Sequence, residues 1–194
     1  MDGGTHHPLF DGKKGMVLDE GPARRPRLGT PDDVDRMMAL TMTASDENSF
    51  IQPSPRKILQ DVYPALHKDR GMVWIIGPDE GPLEAAALLR ITELWYSEDL
   101  VLEERGIYVH PHYRHKKGRR AHMLIDACKA SAQQLGLPLL IGVLSNQRTE
   151  GKIRLYERQL GMPQAGAFFL FNAKTGVNIN AHTGGAVREE TAET

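Results

Sequence analysis

The sequence predicts an α/β domain built on a mixed, mostly antiparallel sheet flanked by helices. Residues 72–109 read as a hairpin and one further antiparallel strand, with the polar turn Gly77-Pro78-Asp79-Glu80-Gly81-Pro82 at the hairpin tip. Two amphipathic helices precede these strands. A crossover helix follows them and leads into Leu139-Leu140-Ile141-Gly142-Val143-Leu144, a run apolar enough for a strand covered on both faces.

Size and composition bound the reading. A chain of 194 residues suffices for one cored domain and is short for two, and 40% hydrophobic with 25% charged residues is the balance of a soluble globular protein. A net charge of -1 gives no general attraction to nucleic acid or to a membrane surface. The single cysteine, Cys128, excludes an internal disulfide framework, and its place on an apolar helix stripe marks it as a core residue. No apolar run approaches membrane-spanning length and no hydrophobic signal core opens the chain, so a cytoplasmic protein without a membrane partner is expected.

Taken in order, residues 1–24 are rich in Gly, Pro, His and charge and read as a flexible arm. A short strand is expected over residues 25–28. Thr30-Pro31-Asp32-Asp33 then supplies an N-cap, a proline for the first helical position and first-turn acids. Val34, Met37, Met38 and Thr41 give that helix its inward stripe. Ser54-Pro55 repeats the start signal for a second helix with Ile58, Leu59, Val62 and Leu66 on its stripe, stopped by Gly71. Residues 45–53 between them read as a loop. After the hairpin, whose second strand is expected over 83–95, residues 100–109 form the next antiparallel strand. Ala121, Leu124, Ile125, Cys128 and Leu135 mark the crossover helix, and Ile153, Tyr156 and Leu160 one side of a helix over residues 149–160. Ala167-Phe168-Phe169-Leu170-Phe171 closes the sheet, and residues 173–194 read as a flexible tail.

The stretch with most chemical content is Gly106-Ile107-Tyr108-Val109-His110-Pro111-His112-Tyr113-Arg114-His115-Lys116-Lys117-Gly118-Arg119-Arg120. It is a strand stopped by a proline, a loop with five Lys/Arg around one glycine, and a helix start. Helix-start N–H groups joined to basic side chains form an anion site suited to a phosphate or pyrophosphate.

This stretch, with Leu139-Leu140-Ile141-Gly142-Val143-Leu144-Ser145-Asn146 and Leu155-Tyr156-Glu157-Arg158-Gln159-Leu160-Gly161, resembles the GNAT superfamily of acyl-CoA-dependent N-acyltransferases. The resemblance covers residues 25–172, a single GNAT-like domain, and implies acetyl-CoA as cosubstrate and an amine as acceptor. It implies that backbone groups of Ile107, Tyr108 and Val109 hold the pantetheine arm as an added strand would, with Asn146 contacting it from the next strand. It implies a phosphate site made by Arg114, His115, Lys116, Lys117, Gly118, Arg119 and Arg120. Tyr156 is then the candidate general acid for the departing thiolate, and Glu103 or Glu104 the candidate base for the amine. Adjacent strand residues face opposite sides, so at most one of the two glutamates faces the cleft; Glu103 is expected on the face of Tyr108 and Glu104 on that of Val109. The alternative is a catalytically weak or inactive GNAT-like module that binds CoA or a protein partner.

The loop departs from the family pattern of Gln or Arg, two residues, Gly, one residue, then Gly or Ala. If Gly118 is the first glycine, His115 and Arg120 take the flanking places; if Arg114 leads, Lys117 stands at the glycine. Scarce glycine limits backbone approach to a pyrophosphate, so the side chains of Arg119 and Arg120 are expected to compensate. A metal site from His110, His112, His115 and His122 lacks a completing Cys or carboxylate, and no nucleic-acid-binding signature accompanies the basic loop. Ser49, Phe50 and Gln52 between the first two helices, with Trp95 and Tyr96, are candidates for the acceptor pocket. Leu100-Val101-Leu102 and the last strand could pair in a homodimer.

Overall fold

A computed structural model of the chain describes residues 24–48, 52–114, 119–145 and 148–167. The order is β1 (Arg27–Leu28), α1 (Val34–Asn48), α2 (Pro55–Leu66), β2 (Gly71–Ile76), β3 (Ala85–Glu93), β4 (Leu100–Val109), α3 (Arg120–Leu135), β5 (Leu139–Leu140) and α4 (Thr149–Leu160). The strands lie in the order β1-β2-β3-β4-β5. Every pairing is antiparallel except the parallel one between β4 and β5.

The predicted start signals operate as read. A short 3-10 turn, Pro31–Asp33, leads into α1, and Asp33 accepts from the Thr30 backbone N–H at 3.0 Å while Arg27 and Arg36 each bond its carboxylate. At α2 the Ser54 side chain accepts from the Lys57 N–H, with Pro55 opening the helix. The first-helix loop is shorter than expected, because α1 continues to Asn48. Leu59 does not join its stripe. It is exposed, and Ala65 sits inside with Val62 and Leu66.

The sheet is covered on both faces. Met37, Leu40, Val62 and Leu66 from α1 and α2 pack on Val73, Ile75, Ala86 and Leu88. On the other face Leu124, Cys128 and Ala132 of α3 pack on Ala85, Ala87, Leu89 and Leu102. Strand alternation explains the split, since odd and even members of β3 serve opposite cores. Cys128 is fully buried, in the core role its stripe predicts.

Two strand expectations need correction. The run from Leu139 onward makes a ladder only at Leu139 and Leu140, and residues 141–145 are irregular, with Leu140 and Leu144 exposed. β3 ends at Glu93, so Trp95 lies in the following turn and not in the strand. Of the expected last strand only Ala167 is described, outside any strand. Residues 1–23 and 168–194 lie outside the described residues, with most of the expected arm and all of the expected tail. Among the described residues no helix is long and apolar enough to cross a membrane.

Candidate active site

The early departure of β5 creates an opening beside β4. The pairs Leu102↔Leu139 and Glu103↔Leu140 close its narrow end. Beyond them β4 continues to Val109 on β3 alone, while residues 141–145 diverge. The His110 N–H donates to the carbonyl of Glu84, the residue before β3, at 2.9 Å. Backbone N–H groups alternate sides along a strand, so the N–H groups of Val109 and Ile107 point away from β3, toward the opening.

A β-bulge decides which glutamate belongs there. The β3–β4 register runs Ala87↔Ile107 and Leu88↔Gly106, then jumps to Leu89↔Glu104, leaving Arg105 as the extra residue. Glu104 therefore comes onto the α3 side with Ile107 and Val109, and Glu103 onto the side of Tyr108. Glu103 forms an ion pair with Arg105 at 2.9 Å. Gly106 leaves room for the Tyr108 ring, which folds back over it: a Cβ there would lie 2.0 Å from the ring Cζ, and the ring would have to shift. Tyr108 itself packs on the α1–α2 core.

Glu104 is the electrostatic centre of the opening. Burial pushes its carboxyl up to about 8, against backbone hydrogen bonding from Gly142 and Ile107 and the Lys152 ammonium, with Glu103 adding to the rise. The Glu104 carboxylate lies within electrostatic reach of Gly142 on the diverging segment. Its charge reaches Tyr156, Tyr108 and Cys128, whose own protons are held more tightly chiefly by burial. Cys128 and Tyr108 are each pushed up to about 12, and Tyr156 stays a neutral phenol.

From the far side α4 contributes Tyr156 and, one turn earlier, Lys152. The Lys152 Nζ donates to Ser145 Oγ at 2.6 Å, and the Thr149 hydroxyl donates to the Ser145 carbonyl at 2.9 Å. Burial lowers the Lys152 ammonium, as do Arg114 and Arg148, while Glu104 and Glu47 oppose them. Lys152, Ser145 and Gly142 were not singled out from the sequence. The one legible signal was the four-residue spacing of Lys152 and Tyr156, which puts both on one helix face.

The predicted phosphate residues divide. His115, Lys116, Lys117 and Gly118 lie outside the described residues, as does Asn146. Arg114 folds inward: its Nε donates to the Val109 carbonyl at 2.9 Å and its terminal nitrogen pairs with Glu47 of α1. Arg119 is exposed, in the left-handed region at φ 49°, and no side chain caps the helix it opens. The expected phosphate role of the Arg120 side chain needs correction. Its Nε bonds Glu84 Oε2 at 2.6 Å, with the two side chains 3% and 1% exposed, and its guanidinium lies 4.6 Å from the Tyr113 ring centroid. A guanidinium so enclosed cannot turn to a phosphate without leaving Glu84 buried and unpaired.

Among the described residues no group of three or more His, Cys, Asp or Glu could hold a metal ion. His110 Nδ1 accepts from the His112 backbone N–H at 3.3 Å, and both rings meet Tyr113 edge-on. Of the acceptor candidates, Gln52 is exposed, and Ser49 and Phe50 lie outside the described residues. Trp95 and Tyr96 meet edge to face with centroids 5.4 Å apart, exposed at the far end of the β3–β4 hairpin.

Comparison with known proteins gives the arrangement a context. The acetyltransferase (GNAT) family matches the sequence over residues 37–162. No curated protein sequence matches significantly. Among solved structures, a possible acetyltransferase from Clostridium difficile 630 superposes with a TM-score of 0.58 at 15% identity, covering 75% of this chain and 94% of that one. AAC(6')-Iy, in complex with a bisubstrate analogue of CoA and acetylneamine, gives 0.56 at 17% identity, covering 76% and 95%. The aminoglycoside 6'-N-acetyltransferase AAC(6')-IG from Acinetobacter haemolyticus gives 0.54 at 17%, covering 77% and 97%. At these identities the structural likeness speaks to fold.

Proposed function

Since the chain belongs to the acetyltransferase (GNAT) family, we propose that it moves an acetyl group from acetyl-CoA directly to an amine of a small molecule or protein. The observation that supports this is the electrostatic coupling of the buried Glu104 of β4 with Tyr156 of α4, beside the stretch of β4 that has no second strand partner among the described residues. In the proposed reaction the neutral amine attacks the thioester carbonyl. The carbon–nitrogen bond forms, the carbon–sulfur bond breaks, and CoA leaves as the thiol.

Glu104 takes the amine proton, directly or through water. A carboxyl titrating at about 8 is a far stronger base than an ordinary glutamate and is still part-ionised at neutral pH. Tyr156 gives its proton to the thiolate. The burial that makes the phenol a weaker acid also makes a thiolate formed beside it a stronger base. The Val109 N–H, pointing from β4 into the opening, is the proposed donor to the thioester oxygen.

The pantetheine arm would lie along the free edge of β4, and the start of α3 with Arg119 would take the phosphates. The test is thiol release from acetyl-CoA across a panel of polyamines, aminoglycosides and peptides, with the product mass read for one added acetyl group. An amine-dependent rate abolished in Glu104→Gln supports the reading. Acetyl-CoA binding without release for any amine would favour a binding module instead.

A further inference from the structure

The far wall of the opening is not held by the sheet. After Leu140 no described residue of 141–145 pairs with β4, yet the segment is anchored at Ser145. Ser145, 6% exposed, is tied to α4 by Lys152 and Thr149, while the Gly142 backbone lies within electrostatic reach of Glu104. Of these ties only Lys152 also carries a charge toward Glu104. It sits one turn before Tyr156, so the same helix face presents the wall's anchor and the proposed acid.

We propose that Lys152 is a positioning residue of this site, its ammonium tethering Ser145 to hold the 141–145 wall apart from β4 while keeping a positive charge opposite the Glu104 carboxylate. The inference rests on the reading of Glu104 as the base, and adds a residue that acts through it. Two consequences follow from the geometry. Removing the ammonium leaves the wall without its charged anchor. It also leaves Glu104 facing Glu103 on its own strand, Cys128 on α3, Tyr108 on β4 and Tyr156 on α4, with no cation among the groups that act on it. Lys152 in turn faces Arg114, Arg148, Glu47 and Glu104; its hold on a proton is weakened first by burial, and the Ser145 contact keeps it in place.

The test is the titration of Glu104 by carbon-13 NMR in the full chain, with its signal assigned by its loss in Glu104→Gln. In Lys152→Met the midpoint rises by roughly half a pH unit or more, as expected when an opposite charge at close range is lost. In Lys152→Arg it stays near the wild-type value. Ser145→Ala, which cuts the tether and keeps the charge, raises it less than Lys152→Met. In acetyl transfer, the pH dependence of kcat/KM for Lys152→Met moves up with the titration, and Lys152→Arg restores it. A Glu104 midpoint unmoved in Lys152→Met, or moved equally in Lys152→Arg, overturns the proposal. The titration is read in the free protein. An enzyme that acetylates no amine would therefore sink the functional reading while leaving this result separately legible.

Discussion

Glu104 carries a consequence for stability as well as for chemistry. Its folded carboxyl titrates at about 8, above the ordinary glutamate range near 4.5. The folded state then binds the proton more tightly than the unfolded chain does. Stability from this group is full below about pH 4.5 and is lost as pH rises toward about 8. Glu104→Gln should flatten that decline, so its melting temperature falls less than wild type between pH 5 and pH 8. A parallel decline in both proteins would place the carboxyl in a wetter site. Tyr156→Phe keeps the ring and removes the proton, so kcat should fall at least tenfold with acetyl-CoA affinity nearly unchanged. Stopped-flow turnover with a calorimetric titration separates the two. The arginines at the head of α3 should part company. Arg119→Ala should weaken acetyl-CoA binding at low salt and leave the melting temperature alone. Arg120→Ala strands Glu84 and should cost about 3–5 kcal/mol in a denaturant titration.

At the scale of elements, helices and hairpin were legible because their signals are local. Thr30-Pro31 and Ser54-Pro55 cap and open helices by residues adjacent in sequence, and β4 and α4 begin and end where their patterns do. Two features were not legible because tertiary partners decide them. Glu104 was expected on the face of Val109 and lies there, but the bulge at Arg105 that brings it there was not read, and Gly106 is its only mark in the sequence. The apolar run after Pro138 reads as a full strand, yet its ladder ends at Leu140, and Ser145 is bonded to Lys152 of α4. Arg120 shows the same limit: nothing in a basic loop says that Glu84, 36 residues earlier, claims one of its members. The bulge gives an element-scale test. Gly106→Ala forces the Tyr108 ring off its own strand and out of the α1–α2 core, a loss of roughly 1–3 kcal/mol. Gly142→Ala, with nothing within 4 Å of its added Cβ, should cost far less.

Over the whole molecule, two cores clamp the sheet and leave one edge of β4 beyond Glu103 without a strand partner among the described residues, and this is where proposed base, acid and oxyanion donor converge. A ligand laid along that edge would join elements on both faces. Millimolar acetyl-CoA should accordingly raise the melting temperature by mass action, and a short pantetheine thioester should do so less for want of the phosphates. The measurement closest to the central claim is kcat/KM for acetyl transfer to the best amine of the panel, from pH 6 to pH 9.5, in wild type and Glu104→Gln. The account predicts a wild-type rate that rises through about pH 8 as the carboxyl ionises, and a variant slower by at least tenfold in which that rise is gone. A variant with the wild-type rate and the same rise would contradict it, because the proton acceptor would then lie elsewhere.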